Sequence, residues 1–305
     1  MSESKSPRLK LASPAMTKVD RLGWVAGFSL KSYGVRIGIR SNDPAALDRV
    51  CRHLPSEWER ASSAVVDRVY SILIAGKDSR ARVRRLNLLY GDDVQLARSR
   101  DLDRVFETFE SDLRIFVAEL AKHRVFVHAG VVGWKGQAIV IPGRSYSGKS
   151  TLVAELIRAG ATYYSDEYAV LDSRGRVHPF SKPLELREEG KYRQTKITAA
   201  ELGGHSGTKP LPVGLVLMTR YKNGARWRPR KLTAGKGVLE MLFNTVSARR
   251  SPGRALATLQ RVAAQADVLK GVRGDAGRVV PAVLQRVEGK LEVNRQNAKV
   301  TKNTK

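Results

Sequence analysis

An α/β fold in two parts is what the sequence predicts, and three observations predict it. Short apolar runs bounded by turn residues recur along the chain, helix-period segments alternate with them, and one apolar run feeds a Gly-rich loop that opens a helix at Lys149. The length of 305 residues admits one large domain or two of ordinary size, each able to bury an apolar core. Apolar residues make up 42% of the chain and charged ones 28%, which excludes the disordered and fibrous classes. No window approaches the roughly 18 apolar residues of a membrane span, and residues 1–20 lack the continuous apolar segment of a signal peptide, so the reading is cytoplasmic.

Residues 1–20 are rich in Ser, Lys and Pro without periodicity and read as a disordered tail. An accessory domain of α+β type follows over 21–122. Strands are expected at 24–30, 34–40, 65–75 and 83–90, with a helix opened by Asp43-Pro44 and running to His53. The helix over 101–122 is the clearest element of this part, because Leu102, Val105, Phe106, Phe109, Leu113, Phe116, Val117 and Leu120 fall at helical spacing. No constellation of catalytic type stands in this part.

A second domain is expected over 123–289. Strands at 124–132 and 137–142, joined by the turn Gly133-Trp134-Lys135-Gly136, form a hairpin that enters the Gly-rich loop. The loop opens a helix over 149–159, which Gly160 ends as a left-handed C-cap. One strand at 162–171, a turn at Ser173-Arg174-Gly175, a strand through Val177 and a loop to Arg187 come next. A buried strand at 212–221 and helices at 238–247 and 253–269 complete the domain. Residues 290–305 are polar and basic and read as a second disordered tail.

The chain carries 55 Lys plus Arg against 29 Asp plus Glu, a formal charge of +26, so acidic partners are expected. The densest stretch, Arg220-Tyr221-Lys222 to Arg226-Trp227-Arg228-Pro229-Arg230-Lys231, has two readings: a basic hairpin with a solvated face, or a nucleic-acid surface on which Trp227 stacks a base. The first is the commoner meaning of such a stretch. Charge alone does not choose among nucleotides, acidic peptides, acidic proteins and nucleic acid. The single cysteine, Cys51, excludes an internal disulfide and a cysteine-built zinc site, and reads as a small buried apolar residue.

The chemistry is concentrated in Gly143-Arg144-Ser145-Tyr146-Ser147-Gly148-Lys149-Ser150, with Thr151 following. This is the GxxxxGKS pattern. Its glycines let backbone amides curl around phosphate oxygens, Lys149 reaches the β and γ phosphates, and Ser150 offers a hydroxyl to Mg²⁺ at the positive end of a helix. A buried run before it, Ala138-Ile139-Val140-Ile141, and a helical run after it supply the context that such a loop requires. ATP and Mg²⁺ are therefore the expected cofactors. The pair Asp166-Glu167 is either a solvated acidic turn or a metal ligand beside a general base. His128, on the strand entering the loop, is either a hydrogen-bonded structural residue or part of the site. Arg187 and Arg220 are candidate cations for a transferring phosphoryl group.

His128-Ala129-Gly130, the P-loop and Ser165-Asp166-Glu167, in that order, resemble the catalytic domain of the HPr kinase/phosphorylase family. They resemble more closely its HPr-kinase-like relatives, which include the peptide kinases of lasso-peptide clusters. Pro183-Leu184-Glu185-Leu186-Arg187 and Val213-Gly214-Leu215-Val216-Leu217 add to the likeness, which covers residues 124–288. The resemblance implies a P-loop kinase domain related to phosphoenolpyruvate carboxykinase, and transfer of the ATP γ-phosphoryl to a serine of a peptide or small protein. It implies Asp166 and Ser150 as metal ligands, Glu167 as the base, and His128 as the active-site histidine. Tyr146 stands where the family has a second glycine, Thr151 where it has Glu, and Glu167 where it has a second Asp. The arginine- and asparagine-containing loop near the family's C-terminal end is absent, and 21–122 does not resemble its N-terminal domain. HPr as substrate and the reverse reaction therefore lie outside what the likeness carries. Two other functions fit the same residues: a nucleotide-binding switch or ATPase without an acceptor, and a nucleic-acid-associated ATPase. A homo-oligomer is compatible with each.

Overall fold

The computed structural model describes residues 18–55, 57–63, 65–76, 86–144, 147–180, 182–187 and 194–303. The chain is mixed α/β and divides into two compact units, Met1–His123 and Arg124–Lys305.

In the first unit β1 (Ala26–Ser32) and β2 (Val35–Ser41) form a hairpin. Tyr33 and Gly34 turn it at φ of 48° and 83°, which the glycine accepts without steric cost. Helix α1 (Ala45–Cys51) carries the chain over to β3 (Glu59–Ala61) and then β4 (Arg68–Leu73), which runs parallel to β2. A hairpin of β5 (Asn87–Gly91) and β6 (Val94–Ser99) completes a six-stranded sheet of order β3-β1-β2-β4-β5-β6. Helix α2 (Leu102–Leu120) is capped by the Asp101 side chain, which accepts from the Asp103 amide, and buries Val105, Phe106, Phe109, Leu113 and Val117. The sequence reading omits β3 and β6, both too polar or too short to register as apolar runs. Its strand at 83–90 begins outside the described residues. Cys51, expected in the core, is exposed, because α1 turns only Ala46 and Val50 inward.

The second unit is a sheet with a core on each face. Strand β7 (Val125–Trp134) turns at Lys135 and Gly136, both at positive φ, into β8 (Gln137–Pro142). Helix α3 (Lys149–Arg158) follows, and Gly160 beyond it stands at φ +93°. The strand expected at 162–171 is two strands, β9 (Thr162–Ser165) and β10 (Tyr168–Leu171), which pair with different halves of β7. Strand β11 (Arg176–His178) joins β10 to β14 (Leu211–Tyr221), so the hydrogen bonding closes a ring through β7, β8, β14, β11 and β10. A separate hairpin of β12 (Leu184–Arg187) and β13 (Gln194–Ile197) precedes β14. Parallel pairing of β8, β14 and β16 (Asp267–Arg273) forms the centre, with the short β15 (Arg230–Lys231) on the edge.

Alternation along β8 feeds both cores. Ile139 and Ile141 pack against α3 and against α6 (Ala276–Asn303), while Ala138 and Val140 face α4 (Ala234–Leu242) and α5 (Pro252–Gln265). In β14 a bulge at Gly214 shifts the phase, so that Val213 and Val216 share one core while Leu215 and Leu217 share the other. Three expectations are corrected here. The helix expected at 253–269 stops at Gln265, and its end is the first half of β16. The helix expected at 238–247 is α4 with a 3₁₀ turn at Val246–Ala248. Residues 290–303, expected disordered, continue α6. Among the described residues no helix is long and apolar enough to cross a membrane.

Candidate functional site

The three sequence signatures converge on the middle of β7. His128 is the hinge of the arrangement through its backbone: its N–H donates to the Asn244 carbonyl at 2.7 Å, and its carbonyl accepts from the Gly143 amide at 3.2 Å, where the loop begins. One residue on, the Ala129 amide donates to the Glu167 carbonyl at 3.0 Å. The acidic pair therefore occupies the break between β9 and β10, opposite Ala129 and Gly130. The break is held by Ser165, whose Oγ accepts from the amides of Glu167 at 3.1 Å and Tyr168 at 3.0 Å.

Gly130 is required by what lies above it. A Cβ there would stand 2.5 Å from Val153 Cγ2 and 3.1 Å from Lys149 Cγ, and 3.8 Å from Asp166 Oδ1. The bare backbone lets the first turn of α3 settle onto β7, and that contact brings Lys149 and Asp166 over the same residue. Gly143 makes a similar allowance for the loop, since a Cβ would meet Ser147 Oγ at 2.8 Å. Gly148 turns the loop into the helix at φ +83°. Arg144 and Thr151 are exposed, Ser147 and Ser150 half-buried, and Ser145 and Tyr146 lie outside the described residues.

Electrostatics separate the roles. Lys149 is buried, 7% exposed, and burial lowers its pKa while Asp166 and Glu167 act to raise it. Asp166 is 8% exposed; burial pushes its carboxyl up to about 6, against the opposing pull of a Ser150 hydrogen bond and of Lys149. Its Oδ1 finds no hydrogen-bond partner among the described residues. Burial, then Lys149 and Lys182, pushes His128 down to about 4, so its ring is neutral at physiological pH. Glu167 Oε2 is 3.0 Å from Lys182 Nζ, which also reaches Glu185 at 3.4 Å.

A buried carboxylate oxygen without a donor, beside a hydroxyl at the mouth of a positive helix end, fits a divalent cation that keeps most of its ligands as water and phosphate. Among the described residues no three His, Cys, Asp or Glu gather as an all-protein metal cage. Ser150 and Asp166 are the residues that would hold Mg²⁺.

Two site residues escape the sequence reading. Lys182 is one, seated by its own carbonyl, which accepts the Tyr163 hydroxyl at 2.7 Å. Arg273 is the other: 1% exposed, it donates Nη2 to the Gly148 carbonyl at 2.5 Å and Nη1 to the Gly274 carbonyl at 2.9 Å. Of the two arginines expected near a phosphoryl group, Arg220 is the last residue but one of β14 and lines a cleft of 630 Å³ beside Pro142, and Arg187 ends β12. Trp227, a candidate for base stacking, packs against the core on the α3 side of the sheet instead. The basic stretch reads better as an arm of the fold than as a stacking platform.

No protein-family model matches the chain, and no curated protein matches it. The site's geometry alone therefore carries the functional reading.

Proposed function

We propose that this chain is an ATP- and Mg²⁺-dependent kinase of HPr-kinase-like type that transfers the γ-phosphoryl group to a serine hydroxyl of a peptide or small protein. One observation carries the reading: Lys149 and Asp166 meet over Gly130, Ser150 hydrogen-bonds Asp166, and a buried Asp166 oxygen lacks a donor among the described residues. The loop amides and Lys149 would cradle the β and γ phosphates. Magnesium, held by Ser150 and Asp166, would supply charge neutralisation on those phosphates. The serine Oγ–phosphorus bond forms as the bond from the γ-phosphorus to its bridging oxygen breaks, ADP leaves, and the serine proton passes to Glu167 or Asp166. Lys182 fixes Glu167 in position, and the neutral His128 ring supports the site without adding charge. The mixed α/β fold, with the loop between a central parallel strand and a helix, suits a P-loop kinase domain.

The test is incubation of a host extract with Mg-ATP and either wild type or Lys149→Ala, read by phosphoproteomics. New phosphoserine that depends on Lys149 is expected, with the variant folded by circular dichroism. Wild-type transfer by Lys149→Ala would overturn the mechanism.

The ion pair between Glu167 and Lys182 favours one alternative, a nucleotide-binding switch, because the ammonium 3.0 Å away occupies the Glu167 oxygen that an incoming serine hydroxyl would need. Single-turnover incubation with labelled ATP separates the two. Label on a macromolecule belongs to the kinase, and slow phosphate release alone belongs to the switch.

A further inference from the structure

We propose that the cleft at the C-terminal ends of β8, β14 and β16 is a binding site for an acidic peptide segment, and that it is the acceptor side of the active site; the second half rests on the kinase reading. These three strands are parallel, and their carboxyl ends are the edge from which β8 feeds the phosphate loop. This cleft has a volume of 630 Å³, and Pro142 in its wall runs directly into the phosphate loop. Asn244 lines it too, and the Asn244 carbonyl holds the His128 amide. The cleft is thus one hydrogen bond away from the strand under Lys149 and Asp166.

Its charge is one-sided. Arg220, Arg228, Arg230 and Lys270 line it, with Glu240 as the acid among the lining residues. Glu240 is taken by Lys270. The three arginines have no carboxylate within ion-pair distance among the described residues. Cross-strand pairing sets Arg230 directly opposite Lys270, whose own charge Glu240 offsets, so the excess charge of the cleft rests on the arginines. The arm that carries Arg228 and Arg230 is fixed rather than loose. The Lys222 amide donates to the Arg273 carbonyl and the Leu232 amide to the Val268 carbonyl, both at 2.8 Å. Trp227 and Pro229 lie so close over Gly271 that a Cβ there would meet Pro229 Cα at 3.1 Å and the Trp227 ring at 3.2 Å. A built, uncompensated set of cations is a recognition surface for carboxylates. Two apolar side chains on or just beyond α4, Leu239 at 57% exposure and Phe243 at 80%, flank Glu240 and Asn244, which suits a peptide better than a free anion.

The experiment is fluorescence anisotropy on the full-length protein at fixed ionic strength. The probes are a labelled serine peptide flanked by glutamates and its glutamine counterpart. The Glu peptide should bind wild type and Lys149→Ala alike, and should weaken by about tenfold or more in Arg228→Glu/Arg230→Glu, while the Gln peptide binds poorly. Arg174→Glu/Lys209→Glu, which makes the same charge change outside the cleft, should lose much less. The Arg228→Gln/Arg230→Gln pair should move in the same direction with a smaller loss, which covers misfolding of the reversed pair. Equal loss in the cleft and control pairs, equal binding of both peptides, or no binding to wild type would each overturn the cleft as a site. Binding through the two arginines without phosphate appearing on any acceptor would leave the acidic-peptide site standing and sink the kinase reading. Undiminished phosphorylation of the Glu peptide by Arg228→Glu/Arg230→Glu would do the reverse.

Discussion

Asp166 is under opposed demands, and they can be separated experimentally. Its carboxyl is held at about 6 in the folded chain against 3.8 in the open one, chiefly by burial. A raised pKa means the folded state binds the proton more tightly, so folding is favoured at low pH; as pH rises from about 4 through about 6, roughly 2–3 kcal/mol is lost and stays lost above. In metal-free buffer with a chelator, Asp166→Asn should therefore be more stable than wild type at neutral pH by about 2 kcal/mol, with the difference gone below about pH 4 and phosphoryl transfer abolished. Urea unfolding across pH measures it, and a variant less stable than wild type at neutral pH would contradict the assignment. Gly130→Ala is the complementary case. Its methyl would drive into Val153 and Lys149, costing about 1–3 kcal/mol and displacing the lysine, so both melting temperature and nucleotide affinity should fall together. Lys149 and Ser150 were picked out as candidates by the spacing of the loop pattern and Asp166 by the resemblance, and the fold brings Lys149 and Asp166 over Gly130. Lys182 was not picked out, because a lysine at the edge of a loop carries no period or motif, and only the fold brings it to Glu167.

At the scale of elements, the legible parts were those whose pattern admits one structure. The alternation of 137–142 and the run opened by Lys149 each have a single period, and both elements form with bounds within a residue of the expected ones. Strand β16 was hidden because Val268 and Leu269 continue the apolar spacing of α5, and a buried parallel strand has no alternation of its own to mark the change. Missing the strand meant missing Arg273 at its end. That residue is a buried cation whose two Nη atoms donate to carbonyls while its Nε finds no partner among the described residues; burial lowers its pKa, and it grips the Gly148 carbonyl at the point where the loop becomes α3. Replacing it by an apolar side chain removes charge-assisted donors from the Gly148 and Gly274 carbonyls, a loss of about 1–3 kcal/mol. Arg273→Met is therefore expected to lower the melting temperature and to weaken a Mg-ATP analogue about tenfold, the scale of one lost charge-assisted hydrogen bond. Calorimetric titration reads the affinity, and unchanged binding would reduce Arg273 to a packing residue.

Across the whole molecule, the two units carry different burdens. Every residue assigned to phosphate, metal or acceptor lies in Arg124–Lys305, and so do the two apolar cores that sandwich its sheet. The first unit supplies its own sheet and the long helix α2, whose buried face is filled by Phe106, Phe109 and Leu113 from within the same unit. A boundary at His123–Arg124 crosses neither set of core clusters, which is the condition for a segment to fold alone. The chain from Arg124 onward should then unfold in one cooperative transition and bind a Mg-ATP analogue as tightly as the full chain does. Its length allows a core large enough for independent stability. Differential scanning calorimetry and analogue titration of the two chains test this directly. A broad or absent transition, or loss of analogue binding, would mean that the first unit completes the nucleotide site. Retained analogue binding with loss of the acidic-peptide binding would instead assign the first unit to acceptor recognition, because the phosphate loop and its supports would have proved sufficient for the nucleotide alone.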